Sequence, residues 1–284
     1  MQIGVRALDE CLSLQKKSKP LIYCISNSLL LKDLAECIMA YNGIPVFFSS
    51  LISDNANNKD IASLLVSLED LSEEKIQDIE KSIRIARRRK MPIILDLIGE
   101  ENSFIKKETA LSIINRYNIN VVIGSINEFK AIINNVIEKK EDNSRIDRFR
   151  DNIEVRVGFR NFSKANNIIV VVKSEEYYLT DGYSEFFVDR EINRESFNLF
   201  EAIKLEYMLA ALISVGVASA GTSEEKFISV LVAIMTMAVS EKIVVQKNLK
   251  KDSILNKEYL IDEIKDVNSD KLNKLSKIDY LFVR

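Results

Sequence analysis

Apolar residues fall in short runs separated by amphipathic stretches from residue 20 to about 137, a pattern that predicts strands alternating with helices around a largely parallel sheet. LIYCI (21–25), IPVFF (44–48), SLLVSL (63–68), PIILDL (92–97) and VVIG (121–124) are the predicted strands. Between the third and fourth, Leu71 and Ile76 bracket Ser72 as a hydrophobic staple around an N-cap. Ile76, Ile79, Ile83 and Ala86 then keep one helical face apolar.

Residues 138–152, EKKEDNSRIDRFRDN, are densely charged without apolar periodicity and predict an exposed connection. Beyond them IIVVVK (168–173) reads as a buried strand, and YYLTDGYSEFFV (177–188) as a hairpin turning at Asp181-Gly182, which gives the sheet an antiparallel edge. Two long apolar helices follow at roughly 199–218 and 223–245, the second opened by a capping box from Thr222 to Glu225. Charges at Glu224, Glu225, Lys226, Glu241 and Lys242 leave its apolar stretch too short for a membrane span, so a core helix is expected. One polar helix near 257–275 and a short apolar end, YLFV, complete the pattern.

Composition narrows the chemistry. The 284 residues are 47% hydrophobic, enough for a continuous core, and a single domain over 1–284 is expected. The 40 basic and 42 acidic residues are mixed along the chain, so neither a nucleic acid nor an anionic membrane is expected as partner. The N-terminus carries no basic segment leading into an apolar run, and a cytoplasmic location is expected. The absence of histidine removes Ser-His-Asp hydrolysis, Cys-His proteolysis and most zinc sites. Cys11, Cys24 and Cys37 show no metal-ligand or redox spacing and read as free thiols. With only 8 glycines, the chain has little backbone without a Cβ for loops that cradle phosphate.

Motif order supplies a resemblance. PLIYCISN (20–27), followed by a helix and IPVFF, is similar to the P-L-V-H-x-I-T-N segment, helix and G-A-S-P-V-M strand of hydroxyethylthiazole kinases. PIILDLIG (92–99) resembles that family's V-V-L-D-P-V-G, KKETA (106–110) its R-T-E-x-A, and VIGSINEF (122–129) its I-R-G-N-x-x-E-I. YYLTDG (177–182) stands where the family has a strand ending in T-D-G, and YMLAALIS (207–214) resembles its C-M-L-T-A-V-V-A helix. The match spans about 20–245 and leaves 246–284 as a C-terminal helix and tail.

The resemblance implies a ribokinase-like α/β three-layer sandwich, helices on both faces of the sheet, and ATP- and Mg2+-dependent phosphorylation of a thiazole alcohol by a homotrimer. Carried over residue by residue, it makes Asp96 and Glu128 the candidate metal carboxylates, Asn27 and Phe47 candidate substrate contacts, and Lys173 a candidate nucleotide contact in place of a threonine. The plainer alternatives are Asp96 and Glu128 as helix caps or solvated loop acids, Lys173 as a solvated strand-end lysine, and Phe47 as an ordinary core residue.

Other positions depart from the family. Its glycine-rich cradle and catalytic cysteine correspond here to Lys204, Leu205, Glu206 and Tyr207. Tyr23 replaces its histidine, Ile123 its arginine, Ser125 its asparagine, and 67–70 its N-I-G-T. Losing one donor of an anion hole typically costs about 100- to 1000-fold in rate, so several losses predict impaired or absent transfer. Three readings follow: a divergent active kinase using Mg2+ and ATP, a non-catalytic scaffold or small-ligand-binding relative, and a vitamin kinase with another alcohol. The missing glycines count against the last as well.

Overall fold

The computed structural model describes residues 5–47, 60–98, 103–133, 149–196, 206–248 and 257–282. In chain order the elements are α1 (Val5–Ser18), β1 (Leu21–Ile25), α2 (Leu31–Ala40), β2 (Ile44–Val46), β3 (Ile61–Ser67), α3 (Glu73–Arg88), β4 (Ile93–Asp96), α4 (Phe104–Arg116), β5 (Val121–Ser125), α5 (Ile126–Ile132) and α6 (Ile153–Asn166). Then come β6 (Ile169–Lys173), β7 (Glu176–Thr180), β8 (Ser184–Asp189), α7 (Glu206–Ala218), α8 (Ser223–Asn248), α9 (Lys257–Lys265), α10 (Ser269–Leu275) and β9 (Lys277–Phe282).

The nine strands among the described residues form one sheet in the order β2-β1-β3-β4-β5-β6-β7-β8-β9. Pairing is parallel from β2 through β6 and antiparallel from β6 to β9. Side-chain alternation along each strand divides the core in two. Ile22, Cys24, Leu65, Ile94, Ile123 and Val171 face a layer that includes α2, α7 and α8. Tyr23, Leu64, Val66, Leu95, Val122 and Val172 face α3 to α6. The α/β three-layer sandwich with an antiparallel edge follows.

Local chemistry sets the element ends. The Ser72 hydroxyl accepts from Lys75 N at 3.2 Å and starts α3. Thr222 and Glu225 form the reciprocal box at α8, with the Thr222 hydroxyl accepting from Glu225 N at 3.1 Å and the Glu225 carboxylate from Thr222 N at 3.0 Å. The β7–β8 hairpin turns where the sequence indicates: Gly182 adopts φ 87°, and Asp181 Oδ1 accepts from Tyr183 N and Ser184 N.

Several boundaries correct the expectation. The stretch 257–275 is two helices, α9 and α10, separated at 266–268, where Asn268 caps α10 by accepting from Lys271 N. The apolar end belongs to β9, which pairs along the whole of β8, so 246–284 is more than a helix and tail. Phe149, within the predicted exposed connection, packs its ring 5.1 Å from that of Tyr178, while residues 138–148 lie outside the described residues. The sequence pattern also did not indicate α1, whose Leu8 and Leu12 join the core. The first long apolar helix is described only from Glu206, and the second reaches Asn248. α8 is long and apolar enough to cross a membrane, yet 83% of its most apolar window is buried inside the protein.

Candidate functional site at the strand ends

The C-terminal ends of the parallel strands gather the charged residues, the place where open α/β sheets bind ligands. Asp96 ends β4, Ser125 ends β5 and Lys173 ends β6. In register, Asp96 lies opposite Ile123, Ile123 opposite Val171, and Ser125 opposite Lys173. Residues two apart share a face, so Asp96, Ile123, Ser125 and Lys173 point to the same side, and Lys173 reaches across β5. Its Nζ donates to Asp96 Oδ1 at 3.4 Å, with both side chains buried. The Ile98 backbone N–H donates to the same oxygen at 3.3 Å.

Glu128 closes the neighbouring corner from α5. Its Oε2 accepts from Ser125 N at 2.7 Å while the Ser125 hydroxyl accepts from Glu128 N, a complete capping box. Beside it, Lys106 of α4 holds a buried Nζ with no hydrogen-bond partner among the described residues. Burial lowers the Lys106 pKa, although Glu128, Asp96 and Glu69 pull it upward. Glu69 Oε2 is likewise buried without a partner. In the sequence Lys106 belongs only to the KKETA motif; its apposition to Glu128 is a tertiary relationship between α4 and α5.

A cavity of about 380 Å³ lies at the end of β1 and the start of α3, lined among others by Tyr23, Ser26, Leu31, Phe47, Glu74 and Lys75. The Ser26 hydroxyl is buried there without a hydrogen-bond partner among the described residues. Phe47 therefore lies on a cavity wall, partly buried against the core. Asn27 is turned to the loop: its amide donates to Asp70, and its oxygen accepts from Leu29 N at 3.0 Å. The structure thus brings together Asp96, Glu128 and Lys173, sets Phe47 on the wall of a cavity they do not line, and gives Asn27 a loop-fixing contact.

Tyr207 lies at the opening of α7. Ser63, early in β3, donates to Ser214 O, and Ser18, ahead of β1, bonds Ser219, so α7 runs antiparallel to the parallel strands. Its first turn consequently sits at their C-terminal ends. The Tyr207 hydroxyl donates to Asp33 Oδ2 of α2 at 2.8 Å, and Lys257 of α9 donates to Oδ1. Burial and the Asp33 carboxylate raise the phenol pKa above its usual value. A phenol so held is a hydrogen-bond donor and not a base at neutral pH. Lys204 and Leu205 lie outside the described residues, and Glu206 is known only as the first residue of α7.

Comparison with known proteins places these features. A model of the Hydroxyethylthiazole kinase family matches residues 12–270. The chain belongs to the hydroxyethylthiazole kinase family. Hydroxyethylthiazole kinase of Clostridium perfringens strain 13 is 22% identical over 93% of this chain and 98% of its own. That of Clostridium botulinum strain Eklund 17B is 24% identical over 96% and 95%. Among solved structures, hydroxyethylthiazole kinase protein from Pyrococcus horikoshii OT3 aligns over 97% of this chain and 99% of its own, with a TM-score of 0.80 and 18% identity. An E. coli protein described as a ribokinase II, in complex with ATP and Mg2+, aligns over 93% and 87% with a TM-score of 0.52 and 10% identity. The fold is ribokinase-like.

Family membership raises the question of Mg2+, which the carboxylates of this chain would have to hold. Among the described residues no three Cys, Asp or Glu side chains converge as a metal cluster. Asp96 already carries an ammonium on Oδ1, and Glu128 spends Oε2 on a backbone N–H. A buried pair of carboxylates, one holding an ammonium and the other engaged as a helix cap, does not fit a pre-held divalent ion.

Proposed function

We propose that this hydroxyethylthiazole kinase family member takes a thiazole-like alcohol into the cavity at the ends of β1 and β2, and that its own phosphoryl transfer is impaired or lost. Tyr207 carries the proposal: at the family's catalytic cysteine position stands a phenol fixed to Asp33 with its pKa raised. The Ser26 hydroxyl, without a partner among the described residues, in a cavity walled by Tyr23 and Phe47 supports retained binding of a small polar heterocycle.

ATP is the proposed phosphoryl donor for whatever transfer remains, supported by family membership and by the ribokinase-like neighbour that binds ATP and Mg2+. Mg2+ would enter with the nucleotide's phosphates, neutralising their charge. Lys173 is the proposed contact to those phosphates on this chain's side, which requires it to leave Asp96. A homotrimer in the cytoplasm belongs to the same reading, as does a single domain over 1–284.

The test is a coupled assay with 4-methyl-5-(2-hydroxyethyl)thiazole and Mg-ATP, run beside the Clostridium perfringens relative. A rate lower by about 100- to 1000-fold or more is expected, the size associated with losing anion-hole donors. Calorimetric titration of the alcohol alone should still show binding. A turnover equal to that of the relative would overturn the impairment, and absence of alcohol binding would overturn the cavity assignment.

A further inference from the structure

A buried carboxylate needs a counter-charge, because an isolated ionised group away from water is far too costly to keep. In this chain the counter-charge of Asp96 is built in. We infer that the Lys173 ammonium stands in for a divalent cation at Asp96, so that this carboxylate has its counter-charge without metal and does not take up a free divalent ion.

Three observations carry this. The first is reach: Lys173 ends β6, two strands from β4, yet shares its face with Asp96 and closes to 3.4 Å across β5. The second is burial, for the side chains of Asp96 and Lys173 are 1% and 4% exposed, leaving neither ion to be neutralised by bulk solvent. The third is a second ammonium close by. The buried Lys106 Nζ has no hydrogen-bond partner among the described residues, and Lys106 lines one small cavity with Glu128. A divalent ion added beside Asp96 would meet the repulsion of the buried Lys173 ammonium, little screened in this setting.

The inference rests on reading Asp96 as the strand-end carboxylate of the family site, not on any rate of turnover. It is therefore tested with neither alcohol nor nucleotide present. Mn2+ is titrated into the whole chain and followed by electron paramagnetic resonance, with thermal melting in parallel. Wild type should show no site dependent on Asp96 up to millimolar Mn2+ and no shift of its melting temperature.

Lys173→Met keeps the stem and removes the charge. It should acquire a Mn2+ site at least about tenfold tighter than wild type, with metal-dependent thermal stabilisation, because the bared Asp96 then recruits an ion. The double variant Lys173→Met with Asp96→Asn should lose it again. Wild-type Mn2+ binding that Asp96→Asn abolishes would overturn the inference, and so would a folded Lys173→Met protein that gains no site. Should Lys173→Met fail to fold, the comparison of wild type with Asp96→Asn still decides. A weak kinase rate with no metal uptake would leave this inference standing, whereas normal turnover together with metal uptake would remove both proposals.

Discussion

The hydroxyl of Tyr207 donates to Asp33 at 2.8 Å and so ties the first turn of α7 to that of α2, while Lys257 brings α9 to the other carboxylate oxygen. Three segments far apart in sequence meet on one carboxylate. Tyr207→Phe removes a charge-assisted hydrogen bond at a residue only 3% exposed and should cost about 1–2 kcal/mol. Urea unfolding measures it; an unchanged midpoint and slope would show that the contact adds nothing.

The same carboxylate sets an acid limit. Burial alone would raise the Asp33 pKa, but hydrogen bonds from Lys257 and Tyr207 outweigh it and hold it below the ordinary 3.8. A lowered folded-state pKa gives stability that is complete above the unfolded value and fades as pH falls through the folded one. The stability difference between wild type and Asp33→Asn should thus stay constant from neutral pH down to about 4 and shrink below it. A difference that already declines near pH 6 would contradict the assignment.

Arg190 and Glu241 form a buried two-bond pair at 2.7 and 2.8 Å between the end of β8 and α8, and Tyr177 donates to the same carboxylate at 2.9 Å. The guanidinium also stacks 4.8 Å from the Tyr177 ring and donates to Ser174 O. Removing one charge strands the other, so Arg190→Met should destabilise by about 3–5 kcal/mol. Arg190→Lys should recover only part, because an ammonium matches neither the fork nor the stack. Thermal melts of the two variants and of Arg190→Met with Glu241→Met separate these effects; the double variant should be milder than the single.

At the hairpin, Gly182 has φ 87°, and an added Cβ would lie 2.9 Å from Lys164 N and 2.8 Å from Lys164 Cβ. Gly182→Ala combines a disfavoured backbone with a collision against helix α6. About 1–3 kcal/mol of lost stability is expected, readable as a lower melting temperature with unchanged far-ultraviolet dichroism. An alanine variant as stable as wild type would refute this.

Local signals made much of the fold legible. Ser72 and the Thr222–Glu225 box announce their helices, Asp181-Gly182 announces the hairpin, and the apolar runs locate β1 to β8 within a few residues. What escaped depends on distant partners. Lys277–Phe282 becomes a strand through β8, and Phe149 packs, partly buried, against the core through Phe159 and Tyr178. In the candidate site, motif order brought Asp96, Glu128 and Lys173 into view, but not that Lys173 would pair with Asp96. The sequence offered both a cap and a metal role for Glu128; its capping contacts are local, carried by Ser125 three residues earlier. Asp33 carried no local signal, since its partners come from α7 and α9.

The outermost ladder of the sheet also bears on how the protein assembles. β9 lies against β8 with Ser184 opposite Phe282, while α7 to α10 intervene along the chain. Such a pairing closes a long loop and earns its contacts only once the helical layer beneath it has formed, whereas β7 and β8 need no more than a tight turn. The hairpin can thus be an early, local event, and the zipping of β9 a late one, with the β8 edge open to unwanted pairing in the interval.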